Sequence, residues 1–236
     1  MTHTMQVIGL LGGMSWQSTT DYYRVVNKVV ASNLGGLHSA KVVLYSVDFD
    51  EIERCQSAGD WDRAGEILGQ AAHGLQMAGA GFLVICANTM HKVADQIQTH
   101  IDIPILHIAD ATADALQAAG AGKTALLGTR YVMTQPFLKD RLIERGIDVM
   151  VPGEADVEVI NRIIFNELCL GQIRDESRAR VLGVIDSLVQ EGAQAVVLGC
   201  TELPMLIKPP DCSVPLFDTT TIHATAAAMR ALQPPS

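Results

Sequence analysis

Ala195-Val196-Val197-Leu198-Gly199-Cys200-Thr201-Glu202 is the stretch that decides how this chain is read. Its first four residues form a short apolar run of the kind found in strands buried on both faces. Gly199 then lets the backbone turn. Cys200 follows where a buried strand opens into a loop. A free cysteine usually behaves as a small buried hydrophobe. At the end of a strand it can also be an acid, a base or a nucleophile.

The stretch has a counterpart earlier in the chain, Phe82-Leu83-Val84-Ile85-Cys86-Ala87-Asn88-Thr89, which places Ala87 and Cys200 113 residues apart. Ile103-Pro104-Ile105-Leu106 matches Val214-Pro215-Leu216-Phe217, with the prolines 111 residues apart. Leu10-Leu11-Gly12-Gly13 matches Leu126-Leu127-Gly128-Thr129, with Gly12 and Gly128 separated by 116. Three matches at nearly one offset describe two similar lobes of about 110 residues, a period too long for a solenoid.

The segments between these runs alternate strand and helix patterns. Strands are expected at residues 6–11, 41–47, 82–86, 103–106, 123–127, 148–151, 195–198 and 214–217. Between them, Tyr22, Val26, Val29 and Val30 share one helical face, and Asp60 offers an N-cap for a helix from Trp61. Further helices are expected at 110–119, 137–145, 157–168, 175–191 and 219–232. The pattern implies an α/β fold of two similar lobes, each a parallel sheet flanked by helices. The lobes, residues 1–108 and 109–218, are expected to be related by a pseudo-two-fold axis with the site in the interlobe cleft. The C-terminal helix, within 219–236, is the element free to pack back on the first lobe.

Composition narrows the function classes. The chain has 236 residues, 48% hydrophobic and 18% charged, with a net charge of −9. No basic cluster exists to bind nucleic acid. No apolar run nears the roughly 18 residues of a membrane helix, and no charged leader precedes an apolar stretch. The five cysteines include no C-x-x-C pair and the seven histidines no H-x-x-x-H pair, so neither a disulfide frame nor a metal site is expected. A reducing, cytoplasmic setting follows. Gly9 to Gly13 is not G-x-G-x-x-G, and no P-loop is present.

In open α/β sheets, ligands bind beyond the carboxyl ends of the strands. Gly12 to Gln17, Ala87 to His91, Gly128 to Tyr131 and Gly199 to Glu202 fall there. Met14, Ser15, Asn88, Thr89, Thr129, Tyr131 and Thr201 are therefore candidate substrate contacts, suited to an anion such as a carboxylate. His91 reads as a helix-start or core-edge histidine. A pseudo-two-fold would bring positions 87 and 200 to opposite faces of one bound carbon.

Gly12-Gly13-Met14-Ser15-Trp16, Asn88-Thr89-Met90-His91-Lys92, Gly128-Thr129-Arg130-Tyr131 and Gly199-Cys200-Thr201-Glu202 together resemble the aspartate/glutamate racemase family. The resemblance covers about residues 6 to 230. It implies cofactor-independent proton exchange at Cα of an amino acid or dicarboxylate, with no pyridoxal phosphate, no metal and a homodimeric assembly. It also implies two opposed acid/base residues, usually both cysteines.

This chain departs from that pattern. Ala87, with no transferable proton, stands at the position of the first cysteine. Cys86 is one residue earlier, so its side chain is expected on the opposite face of the strand. Val159 stands where close relatives carry a lysine at a substrate carboxylate. Arg162 lies one helical turn further on and could substitute for it in part, and Gln56, also used at the substrate by those relatives, is retained. Three readings follow: an amino-acid racemase that works weakly, from one side or on an unusual substrate; a cofactor-independent decarboxylase or isomerase using Cys200 alone; or a non-catalytic carboxylate binder or ligand-trapping alanine variant.

Overall fold

The computed structural model of the protein describes residues 5–234. In chain order the elements of the first part are β1 (Ile8–Gly12), α1 (Trp16–Leu34), β2 (Val42–Ser46), α2 (Phe49–Ala58), α3 (Trp61–Met77), β3 (Phe82–Ile85) and α4 (Ala94–Gln98). Then follow α5 (Ile108–Ala118), β4 (Lys123–Gly128), α6 (Arg130–Thr134), α7 (Pro136–Glu144), β5 (Asp148–Met150), α8 (Glu154–Asn166) and α9 (Asp175–Gln190). The last are β6 (Ala195–Gly199), α10 (Leu203–Leu206), β7 (Leu216–Asp218) and α11 (Thr219–Ala231). These divide into two compact units. One comprises residues up to Ile108 together with those from His223 onward, and the other runs from Ala109 to Ile222.

Each unit is built on its own parallel sheet. The first has strand order β2-β1-β3 and the second β5-β4-β6-β7. β1 and β3, like β6, are buried along their whole length, which is why they read as unbroken apolar runs. The repeat is visible bond by bond. Gly81 N–H donates to Val7 C=O as Gln194 N–H donates to Lys123 C=O, both at 2.8 Å. Leu83 N–H donates to Pro104 C=O at 2.9 Å, as Val196 N–H does to Pro215 C=O at 3.0 Å.

The repeat breaks at one place. The fourth strand expected at 103–106 shrinks to a single parallel bridge, Leu83 with Ile105. Leu106 still donates to Leu83 C=O at 2.8 Å. Its own carbonyl, which would extend the ladder, instead accepts a hydrogen bond from His223 Nε2 at 2.7 Å. In the second unit β7 continues for three residues beside β6.

Helix α3 begins where Asp60 caps it, accepting from Arg63 N–H at 3.0 Å. Helix α11 explains why the C-terminal residues belong to the first unit. Ala224, Ala227, Ala228 and Ala231 recur at helical spacing and are fully buried against Ile8, Leu10, Val26, Val30 and Val84. Gln6 N–H donates to Ala231 C=O at 2.9 Å beside them. The core of the second unit gathers Leu127, Ile160, Ile164, Val181, Ile185 and Val196.

His223 anchors α11 through both ring nitrogens. Nε2 holds Leu106, and Nδ1 accepts from the Tyr22 hydroxyl at 2.9 Å. Full burial lowers its pKa to about 4. A histidine lowered on folding stabilises the fold above its unfolded pKa and loses that contribution as pH falls toward the folded value. From 6.5 to about 4 the loss amounts to about 3 kcal/mol. His223→Gln, which does not titrate, should therefore show a shallower fall in stability over this range by urea unfolding. An acid limb as steep as that of the unsubstituted protein would contradict this.

Candidate active site

Parallel pairing sets the positions of the strand ends in each unit. In the second, Leu127 pairs with Leu198 and Gly128 with Gly199. Thr129 and Cys200 therefore leave the sheet side by side. Gly199 lies inside β6 and has no unusual φ, so its expected role in turning the backbone is not its actual one. The reason for glycine is close approach: a Cβ at 199 would lie 2.9 Å from Val132 Cγ1, and a Cβ at Gly128 the same distance from that atom. Helix α6 seats Val132 over both glycines. Thr129 caps α6, accepting from Val132 N–H at 3.4 Å, and Asn161 Oδ1 on α8 accepts from Arg130 N–H at 2.8 Å.

Cys200 is 6% exposed. Its thiol donates to Glu202 Oε2 at 3.0 Å, and the Thr201 hydroxyl donates to the same oxygen at 2.6 Å. Burial pushes the thiol well above the ordinary cysteine range, and the Glu202 carboxylate pushes it further through charge and hydrogen bonding. Cys200 thus rests as a thiol with its proton held against a carboxylate. The sequence alone does not single out Glu202 as a partner for Cys200. The only signal was its place two residues on in the same turn.

Tyr131 is half-buried on α6. On α8, Val159 packs against the apolar core of the second unit while Arg162 is exposed. A groove of about 480 Å³ lies beside Arg130, Met133, Lys139, Val157 and Glu158, and neither Cys200 nor Thr201 lines it.

In the first unit, Gly12 ends β1 beside β3, whose continuation is bonded by Cys86 N–H to Leu11 C=O at 2.9 Å. Gly13 has φ +96° and donates to Thr19 Oγ1 at 2.9 Å. That hydroxyl in turn donates to Ser15 C=O at 2.9 Å, while the Ser15 side chain caps α1. Met14 is buried in the same apolar cluster as Ala87. Gln56 is buried on α2. Asn88 is buried and Thr89 half-buried, at the start of a 3₁₀ turn, Thr89–Val93.

Cys86 and Ala87 go to different clusters. Cys86 is fully buried among Ile8, Leu10, Tyr22 and Val84, and burial pushes its thiol far upward. Ala87 belongs to the cluster containing Leu11 and Ile85. The strand alternation expected from sequence therefore holds.

His91 uses both ring nitrogens. Ile108 N–H donates to Nε2 at 3.2 Å, which leaves the proton on Nδ1 to reach Ala87 C=O at 2.8 Å. Burial, with His107 and His223 close by, holds it well below the ordinary histidine range. It is a neutral, fixed group of the core edge. Among the described residues, no cluster of three His, Cys, Asp or Glu side chains is disposed to hold a metal ion. No helix among them is long and apolar enough to cross a membrane.

Comparison with known proteins identifies the family and the fold. The family model for Asp/Glu/hydantoin racemases matches residues 11–227. A crystal structure of a candidate Asp/Glu racemase from Yersinia pestis is 53% identical, with a TM-score of 0.92 over 97% of this chain and 100% of that one. An aspartate racemase homologue from Pyrococcus horikoshii is 34% identical, with a TM-score of 0.85 over 97% and 100% of the two chains. The broad-specificity amino-acid racemase RacX of Bacillus subtilis is 22% identical, covering 92% of this chain and 95% of its own length. The chain belongs to the Asp/Glu/hydantoin racemase family.

Proposed function

We propose that this protein exchanges the Cα proton of an amino acid without a cofactor, and that Cys200 takes and returns the proton. The observation that carries this reading is the buried Cys200 thiol donating to Glu202 at the end of β6. The thiol proton moves to Glu202 Oε2, and the thiolate removes the Cα proton. The resulting carbanion is delocalised into the substrate carboxylate. The regenerated thiol exchanges its proton through Glu202 with solvent and then returns a solvent-derived proton to the same face. A raised thiol pKa means that less thiolate is present but that each thiolate is a stronger base, which suits a weakly acidic C–H. A substrate ammonium beside the pair would offset the Glu202 charge and ease thiolate formation.

Ala87 makes the apparatus one-sided. Inversion needs a second group to protonate the opposite face, and a positioned acid or base typically contributes about 10²–10⁴-fold. Exchange with retention should therefore outrun racemisation. Asn88, Thr89, Thr129 and Thr201, with Met14, Ser15, Gln56 and Tyr131, are the proposed substrate contacts. Val159 is engaged with the core and Arg162 is exposed, an arrangement that favours a substrate side chain less charged than that of aspartate or glutamate. A second reading also draws on Ala87. Decarboxylation of a disubstituted malonate generates its own carbanion and needs only one acid, Cys200.

Two experiments test these assignments. Cys200→Ala should abolish deuterium incorporation at Cα in D₂O, read by mass spectrometry across an amino-acid panel. Ala87→Cys should raise inversion by about 10²-fold. Exchange that survives Cys200→Ala removes the reading, and Cys200-dependent carbon dioxide release from a malonate without amino-acid exchange selects the decarboxylase. In the second experiment, Glu202→Gln removes a negative charge from the thiol. The pH midpoint for alkylation of Cys200 by iodoacetamide should then move down, whereas an unmoved or raised midpoint would refute the proposed pairing.

A further inference from the structure

His91 does more than fill the core edge. Its ring donates to Ala87 C=O at 2.8 Å, and its backbone N–H donates to Asn88 C=O at 3.1 Å. One residue thus holds two consecutive carbonyls. These carbonyls belong to the peptide planes on either side of Asn88, so holding them fixes where the Asn88 side chain projects. The second ring nitrogen carries the constraint onward to Ile108 N–H at 3.2 Å. The neighbouring segment is gripped as well, because His223 Nε2 donates to Leu106 C=O at 2.7 Å and Tyr22 closes the chain on His223 Nδ1 at 2.9 Å. The His91 ring lies edge-on to His107 at 4.5 Å and to His223 at 5.6 Å between centroids. Every partner of this ring is within the first unit. Lys92, the next residue, places its ammonium 4.1 Å from the Trp61 ring centre and ties down the far side of the turn.

We infer that His91 is a positioning residue, which sets the 87–89 turn for substrate by holding the Ala87 carbonyl. The inference rests on the proposed Cα-proton exchange for its kinetic readout. A neutral imidazole suits this task better than an amide, because it reaches a carbonyl and an N–H on opposite sides of one rigid ring. A displacement of about 1 Å in such a turn can cost about 10²-fold in rate.

Two substitutions separate the two ring bonds. His91→Asn places an N–H near Nδ1 and keeps the bond to Ala87. His91→Gln places an acceptor near Nε2 and keeps only the bond to Ile108. In the Cys200-dependent deuterium exchange assay, His91→Asn should retain kcat within about threefold, while His91→Gln and His91→Leu should lose at least about tenfold. Equal losses in all three variants, or retention by His91→Gln and not by His91→Asn, would overturn the assignment. If the unsubstituted protein exchanges no amino acid, the functional reading fails on its own. Amide hydrogen exchange then decides for His91: the Asn88 amide should exchange faster in His91→Gln and His91→Leu than in His91→Asn, and equal protection would refute the role.

Discussion

The structure depends on the pairing of Leu198 and Gly199 with Leu127 and Gly128, under a helix that comes close enough to touch both glycines. Parallel strands held in this register end at one level. Whatever follows them, Thr129 on one and Cys200 on the other, is presented side by side. The absence of a Cβ at 128 and 199 is what admits Val132 and with it the capped start of α6. A single methyl at Gly199 would have to displace Val132 or bend the strand, and overpacking of this kind costs about 1–3 kcal/mol. The position of the thiol is thus set by sheet register and helix contact.

The thiol is tuned by its surroundings in a direction that is informative about chemistry. Many reactive cysteines sit in electropositive surroundings that favour the thiolate. Cys200 is the reverse, buried and hydrogen-bonded to a carboxylate, so its resting form is protonated. That arrangement is poorly suited to a nucleophile that must wait as an anion. It suits a group that gives up and recovers a proton within one encounter. On the other side of the repeat, position 87 is built with comparable care. Its carbonyl is held by a doubly bonded histidine, and its neighbour Cys86 is turned into the core. Yet the side chain there is a methyl group.

Much of the fold was legible in the sequence because it rests on local signals. The apolar runs of β1, β3 and β6, the Asp60 cap and the offset between the Pro104 and Pro215 segments all appear in the structure as strands, a cap and matching backbone bonds. Alternation along β3 separated Cys86 from Ala87 correctly. What stayed hidden depends on contacts between distant residues. The segment around Ile105 has strand composition, but its ladder stops because His223, 117 residues after Leu106, takes that residue's carbonyl. Gly199 read as a turn because glycine freedom is visible in a sequence, whereas the approach of Val132 is not. The sequence does not reveal Glu202 as the thiol's partner, because its side-chain direction depends on the turn that carries it back to Cys200. The sequence marks His91 only as a core-edge residue, because its hold on Ala87 depends on Ile108, a distant residue, occupying the other ring nitrogen.

In the proposed chemistry a single acid/base group, Cys200, works on one face of the substrate carbon. The most direct measurement follows one amino-acid enantiomer in D₂O with the unsubstituted protein, separating the enantiomers by chiral chromatography and weighing each. Deuterium should accumulate in the starting enantiomer well before the opposite enantiomer forms. Inversion keeping pace with deuterium incorporation from the first turnovers would contradict it, because a second proton-transfer group would then have to be at work.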